Sequence, residues 1–367
     1  MTPPRTRPAP APAPVEAEVT LRQAERLADD IRVHAGAFDE QARALADTAR
    51  LADVESVVLV GDGDSDHAAR AVEMAYRSLA GVDCRPVSAL PFVHYWRPAA
   101  GSAARVLTVA VSASGRTPPV VRAAERARAD GTTVVALTGD ATSPLARAAH
   151  GTLHLALPDQ EPSPGIRTYQ ASLLGALLLA TALGTARGHL TGADADLLRG
   201  ELRALAGPVE ATVGEAVART RPLAGRIADA PVLTVLGSGP SHGTALYAAA
   251  KVIETSGVLA VGQDLEEWCH VERFAGPRDL PVLVVAPPGR SLPDALRVAR
   301  RATELGRRVI AVAARDDLGG FDTSEVLPVH GRAREEFSPL LHGLFAAPLA
   351  CHLARTLNRT PFAAGRP

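Results

Sequence analysis

Short β-branched runs, each closed by a glycine-, serine- or aspartate-rich turn and followed by an amphipathic helix, recur along this chain and restrict its fold more than any other feature. The segment SVVLVGDGDSDHAARAVEMAYRSLA reads as a strand, a loop and a helix from about Asp66 to Ala80. RVLTVAVSASGRTPPVVRAAERARADG repeats the pattern, and TTVVALTGDATSPLARAA leads into the alternating TLHLAL of Thr152 to Leu157. Strands that alternate with helices predict a parallel sheet joined by right-handed crossovers. After a helical stretch from Arg167 to about Ala218, APVLTVLGSGPSHGTALYAAAKVIETSG restarts the cycle, followed by LPVLVVAPPGRSLPDALRVARRATELG and RRVIAVAARDD. A period of roughly 180 residues is too long for a solenoid and predicts two like domains.

The expected architecture is therefore α/β: two doubly wound parallel-sheet domains related by pseudo-twofold symmetry. Residues 1–16 read as a disordered Pro/Ala-rich tail. Residues 17–200 read as the first domain with N-terminal helices, and residues 201–367 as the second, with a C-terminal helix and tail. EEFSPLLHGLFAAPLACHLARTLNR is expected to form one amphipathic helix. The 39 basic and 40 acidic residues nearly cancel, which gives no footprint for nucleic acid or an anionic membrane, so an anionic ligand must be gripped locally. Cys84, Cys269 and Cys351 are widely spaced and are expected as free thiols in a reducing cytoplasm. The N-terminal stretch lacks the apolar run of a secretory signal. The run from Ala171 to Ala186 is short for a bilayer and is expected to be a buried helix.

Two places carry chemistry. Ser112-Ala113-Ser114-Gly115-Arg116-Thr117 follows an apolar strand and precedes a helix beginning near Pro118. Hydroxyls and backbone N–H groups at such a turn make a pocket for a phosphate dianion. The same residues also compose an ordinary serine-capped turn, and both readings stay open from the loop alone. Ser65, in the loop after the first strand, is expected to converge on the same crevice. Asp62, Asp64 and Asp66 beside it would repel a phosphate unless they point away. The second place is Lys251, the single lysine of a chain that otherwise uses arginine, with Glu254 three residues on. That spacing puts both on one helix face. An exposed ion pair is the commoner meaning of such spacing, but the small apolar residues Ala248, Ala249, Ala250, Val252 and Ile253 around it predict a packed helix.

These motifs resemble the SIS (sugar isomerase) domain family, and within it the isomerase half of glucosamine-6-phosphate synthase, over roughly Ala17 to Arg359. The resemblance implies that Ser112, Ser114 and Thr117, with Ser65, hold a sugar phosphate, and it covers the acidic residue Glu161. It implies that Glu254 shuttles a proton between C1 and C2 of the sugar and that Lys251 supplies positive charge. It also implies that His270, sixteen residues beyond Glu254, opens the ring, with Glu267 as a supporting residue. A carboxylate, an imidazole and an ammonium suit that chemistry. The context of His270, LEEWCHVERF, departs from the family's histidine-glycine-proline, and the usual STK-like segment has become GIRTYQAS.

No cysteine precedes residue 50 to serve a glutaminase, and the end LNRTPFAAGRP offers no lysine for a Schiff base. The chain is accordingly expected to use neither glutamine nor an imine. What remains is a phosphosugar enzyme that abstracts a proton at C2 of an amino-sugar 6-phosphate, of isomerase or deaminase type. Alternatives are a dehydratase (lyase) eliminating water from an N-acetylamino-sugar 6-phosphate, a deglycase of fructosamine 6-phosphates, and a non-catalytic phosphosugar sensor. The expected partners are a small sugar phosphate and a second copy in a homodimer, with no nucleic acid, no membrane, no metal and no cofactor.

Overall fold

The computed structural model describes residues 15–363 apart from Thr48 and Ser324. Most of the tail expected at 1–16 lies outside the described residues. The first half holds five parallel strands, β1 (Ser56–Gly61), β2 (Asp83–Ser88), β3 (Val106–Val111), β4 (Thr133–Thr138) and β5 (Gly151–His154), in the order β2-β1-β3-β4-β5. The second half holds β6 (Leu233–Leu236), β7 (Ala260–Gln263), β8 (Pro281–Ala286), β9 (Arg308–Ala314) and β10 (Glu325–Val329), in the order β10-β9-β8-β6-β7. Read from β7, the second order is the first one again. Each residue of β3, β4 and β8 is buried, as expected of strands covered by helices on both faces.

Neither β2 nor β7 is foreseen by an apolar run. Both are edge strands: β2 reads DCRPVS and is largely half-exposed, so it carries little hydrophobic signal. The C-terminal segment is not one helix. It forms a 3-10 turn Glu335–Phe337 and helices Pro339–His342 and Ala346–Thr356. Pro339 and Pro348 each fall in a first turn, where the missing N–H leaves no bond unmade; inside a continuous helix Pro348 would remove one.

The helices Asp64–Ala80 and Pro240–Ser256 follow the first strand of each sheet, and both are 17 residues long. Each enters through a glycine with nearly the same left-handed backbone, Gly63 at φ 54° and Gly239 at φ 56°, and each leaves through another, Gly81 or Gly257. They pack on one another where Gly243 allows it: a Cβ there would stand 2.5 Å from the Ala71 backbone nitrogen. The two repeats therefore meet helix to helix.

The helix Arg167–Ala186 packs against Asp64–Ala80 and Leu27–Ala46. Its 20 residues make it long and apolar enough to cross a bilayer, longer than the run read from sequence, yet 89% of its apolar window is buried within the protein. Its first residue, Arg167, is 2% exposed and forms a two-pronged pair with Asp30, at 2.7 Å on both sides.

His342 sits 2% exposed in the C-terminal segment, with Nδ1 3.2 Å from the Ser338 carbonyl and no hydrogen-bond partner at Nε2. Burial pushes its imidazole down to about 4. An unfolded histidine titrates near ~6.5. Between these values the unfolded chain binds the extra proton, so stability rises with pH across this window and is lost as pH falls through it. His342→Gln is expected to flatten the pH dependence of the urea midpoint between about 4 and ~6.5. An unchanged slope would mean that the imidazole is not held neutral.

Candidate functional site

Strand order reverses at the β1/β3 junction, the place where loops leaving the carboxyl ends of two neighbouring strands diverge in such a sheet. After β3, Ser112 is buried, and its Oγ lies 3.0 Å from the Thr117 Oγ1. Gly115 closes the turn at φ 63°, its N–H donating to the Ser112 carbonyl at 2.9 Å. A Cβ at position 115 would stand 2.1 Å from the Ser143 hydroxyl, so glycine is required twice over. Ser114 is exposed, its Oγ accepting from the Arg116 N–H, and Thr117 leads into the helix Pro118–Ala129. Ser65 lies in the first turn of the Asp64–Ala80 helix, not in the preceding loop, because that helix starts two residues earlier than its sequence pattern suggests.

The three carboxylates Asp62, Asp64 and Asp66 each have a partner of their own. Asp62 accepts from the Ala89 N–H at 3.0 Å, and Asp66 pairs with Arg70 at 2.8 Å. Asp64 pairs with Lys251 at 2.6 Å, across the junction of the two repeats. A cleft of about 180 Å³ opens beside the loop, at the carboxyl ends of β3, β4 and β5, lined by residues that include Ala113, Asp140, Thr168 and Ser172.

Lys251 is fully buried, and its Nζ also lies 2.5 Å from Glu254. The exposed-pair reading of these two residues therefore fails. Lys251 is flanked by the ring of Tyr247, which stacks on Tyr169 with centroids 3.6 Å apart. One ammonium thus faces two carboxylates. The Glu254 carboxyl, one-third exposed, is raised above the ordinary carboxylate range by burial, with the Asp64 charge adding to this and Lys251 opposing it. Asp64 ties the set to the cleft: its Oδ2 stands 2.5 Å, and the Thr168 hydroxyl 3.2 Å, from where a Cβ on Gly165 would be. Thr168 lines the cleft itself. Sequence reasoning missed Asp64 as a partner of Lys251. The signal was there, since a lone lysine in a packed helix needs a buried counter-charge, but its partner lies in the other repeat.

His270 and Glu267 are not brought to this set. His270 ends the six-residue helix Leu265–His270, its imidazole 67% exposed and 3.2 Å from Glu266. Glu267 is exposed on the same helix. Among the described residues neither hydrogen-bonds or pairs with Lys251, Glu254 or Asp64. Lys251 and Glu254 are thus joined to Asp64, whose carboxylate approaches Thr168 of the cleft, while Ala113 brings the Ser112–Thr117 turn to the cleft's other side; the imidazole is not brought to either.

Two five-stranded parallel sheets with flanking helices, arranged as a repeat, define a double α/β fold. The SIS domain family matches residues 50–182, which hold the five strands of the first repeat. By structure it is similar to the C-terminal domain of glucosamine-fructose-6-phosphate aminotransferase from Francisella tularensis, with a TM-score of 0.81 at 16% identity, over 96% of this chain and 99% of that one. It is also similar in fold to glucosamine-6-phosphate deaminase from Thermotoga maritima, with a TM-score of 0.71 at 18% identity, over 93% and 96% of the two chains. In sequence it is 29% identical over 274 residues to glutamine–fructose-6-phosphate aminotransferase (isomerizing) of Streptomyces coelicolor, covering 73% of this chain and 43% of the relative. The Gloeobacter violaceus protein of the same description is 27% identical over 304 residues, covering 83% and 49%. The chain thus spans about half the length of the curated relatives it matches.

Proposed function

We propose that this chain is an enzyme that takes a proton from C2 of an amino-sugar 6-phosphate, of the isomerase or deaminase type. The observation that carries the reading is the buried ammonium of Lys251 held by Glu254 and Asp64, near a cleft whose neighbouring turn offers the hydroxyls of Ser112, Ser114 and Thr117. The turn and the first turn at Ser65 anchor the phosphate. The Glu254 carboxylate breaks the C2–H bond, and Lys251 offsets the negative charge that develops on the enediol(amine). Returning the proton to C1 converts the 2-amino aldose into the 2-imine of the ketose. Water then adds to that imine and ammonia leaves. A base raised above the ordinary carboxylate range suits this step, because its protonated form is easier to reach. The scheme uses no cofactor. A homodimer would let the exposed His270 serve the site of a neighbouring subunit.

The test is C2 proton exchange. Glucosamine 6-phosphate incubated in D2O should gain deuterium at C2, and product masses should show conversion with loss of ammonia. A mass loss of water from the N-acetyl substrate would instead assign dehydration, and binding without exchange would leave only a sensor. Ser112→Ala combined with Thr117→Val is expected to raise KM on the order of tenfold with a smaller change in kcat, since the phosphate is bound alike in ground and transition states. A selective loss of kcat would place these hydroxyls at the reacting carbons instead.

A further inference from the structure

His67 has no role in the scheme above, yet it extends the charged set by one more group. It lies three residues after Asp64 in the first turn of the helix Asp64–Ala80, so both side chains leave the same face. Asp64 gives its Oδ2 to Lys251 at 2.6 Å, and its Oδ1 lies 3.8 Å from the Nδ1 of His67. Both of these facing atoms are buried, and neither has a hydrogen-bond partner among the described residues. The row therefore runs from Glu254 through Lys251 and Asp64 to His67, crossing from the second repeat to the first.

A buried carboxylate oxygen and a buried ring nitrogen are each costly to leave unpaired, and one hydrogen bond between them relieves both. An ionised carboxylate only accepts, so Nδ1 must be the donor, and a neutral imidazole then carries its lone pair at Nε2. That nitrogen is not closed off: the side chain is 17% exposed, and no hydrogen bond among the described residues holds Nε2. The backbone beneath the ring is fixed at the junction of the repeats, where a Cβ on Gly243 would stand 2.6 Å from the His67 carbonyl. Burial, the main influence on the Glu254 carboxyl, raises it; positive charge on His67 acts the other way, which puts the ring within electrostatic reach of the base. His270, by contrast, is 67% exposed and paired with Glu266 on another helix.

We infer that His67, positioned by Asp64, is the acid–base imidazole of this site and moves the proton that opens the sugar ring. The inference rests on the proposed reading of Glu254 as the C2 base. A ring-closed amino-sugar 6-phosphate has a hemiacetal at C1, and without a carbonyl there its C2 proton is not acidic. In the opening step Nε2 takes the proton of the C1 hydroxyl, the C1–O5 bond breaks as the C1 carbonyl forms, and O5 receives the proton back from Nε2. One proton has passed from O1 to O5, the imidazole is restored, and nothing is oxidised or reduced. Glu254 acts on C2 only afterwards. Ser65, two residues before His67 in the same helical turn, keeps the phosphate end of the sugar beside the imidazole.

The experiment compares C2 deuterium exchange by the full chain in two sugars. One is glucosamine 6-phosphate, which is ring-closed; the other is its 4,5-dideoxy analogue, which has no hydroxyl placed to close a five- or six-membered ring. His67→Asn is expected to lower kcat/KM for the first on the order of 100-fold and to leave the second within about threefold of wild type. His67→Gln should repeat this split, so that the result does not hang on the folding of one variant. In wild type at neutral pH, nitrogen NMR should show His67 protonated at Nδ1 and bare at Nε2, and Asp64→Asn should abolish that preference. Equal losses for both sugars would make His67 merely structural and overturn the inference, as would the opposite tautomer in wild type. A selective loss on the ring-closed sugar in His270→Asn, absent from His67→Asn, would overturn it in favour of His270. Wild type that exchanges neither sugar would instead sink the reading of Glu254, and this inference with it.

Discussion

Glu254→Gln is expected to slow C2 proton exchange by roughly 10²- to 10⁴-fold, the usual contribution of a positioned general base. Binding of the sugar phosphate should stay within a few-fold, because the amide keeps the size of the side chain and its oxygen still accepts from Lys251. Stability should not fall. The native set places two carboxylates on one buried ammonium, and glutamine leaves a one-to-one pair of Lys251 with Asp64. The pH profile gives a second handle. Exchange needs the Glu254 carboxylate deprotonated, so kcat/KM should fall on the acid side through a value above the ordinary carboxylate range, where burial has put it. Asp64→Asn removes the neighbouring charge that raises this value and frees Lys251 for Glu254 alone, so the acid limb should move to lower pH. Full exchange by Glu254→Gln, or an acid limb insensitive to Asp64, would remove Glu254 from the chemistry.

Asp30→Ala is expected to lower unfolding free energy by about 3–5 kcal/mol, the cost of leaving a buried charge without its partner. Arg167 is 2% exposed and would keep only the carbonyls of Pro158 and Asp159. The double variant Asp30→Ala/Arg167→Met should recover much of the loss, since removing both charges leaves nothing buried and unpaired. Urea denaturation of the single and double variants measures this directly. Equal losses in both would mean that packing, not charge, holds the junction. Arg167 opens the helix that carries Thr168 and Ser172 to the cleft, so this pair fixes one wall of the candidate site to the helix Leu27–Ala46.

The interior strands were legible because a strand covered on both faces must be apolar throughout. β1, β3, β4, β8 and β9 all announce themselves as β-branched runs. The edge strands β2 and β7 were not, since half of each meets solvent or a loop and its residues are free to be polar. Of the site, the Ser112–Thr117 turn and the Lys251–Glu254 pair could be read locally: one is a loop of consecutive residues, the other a single helical turn. The fates of Asp62, Asp64 and Asp66 could not be read, because three carboxylates in one loop look alike until each finds its donor.

By itself the sequence determined two α/β repeats, the alternation of interior strand and helix in each, and one lysine beside a glutamate on a packed helix. These are properties of periodicity and composition, which act over a few residues at a time. Tertiary structure alone decided that Asp64 of the first repeat closes on Lys251 of the second and that His270 faces outward. Those outcomes depend on which helix packs on which. That choice is set where Gly243 lets two helices approach closely, at a contact between residues far apart along the chain.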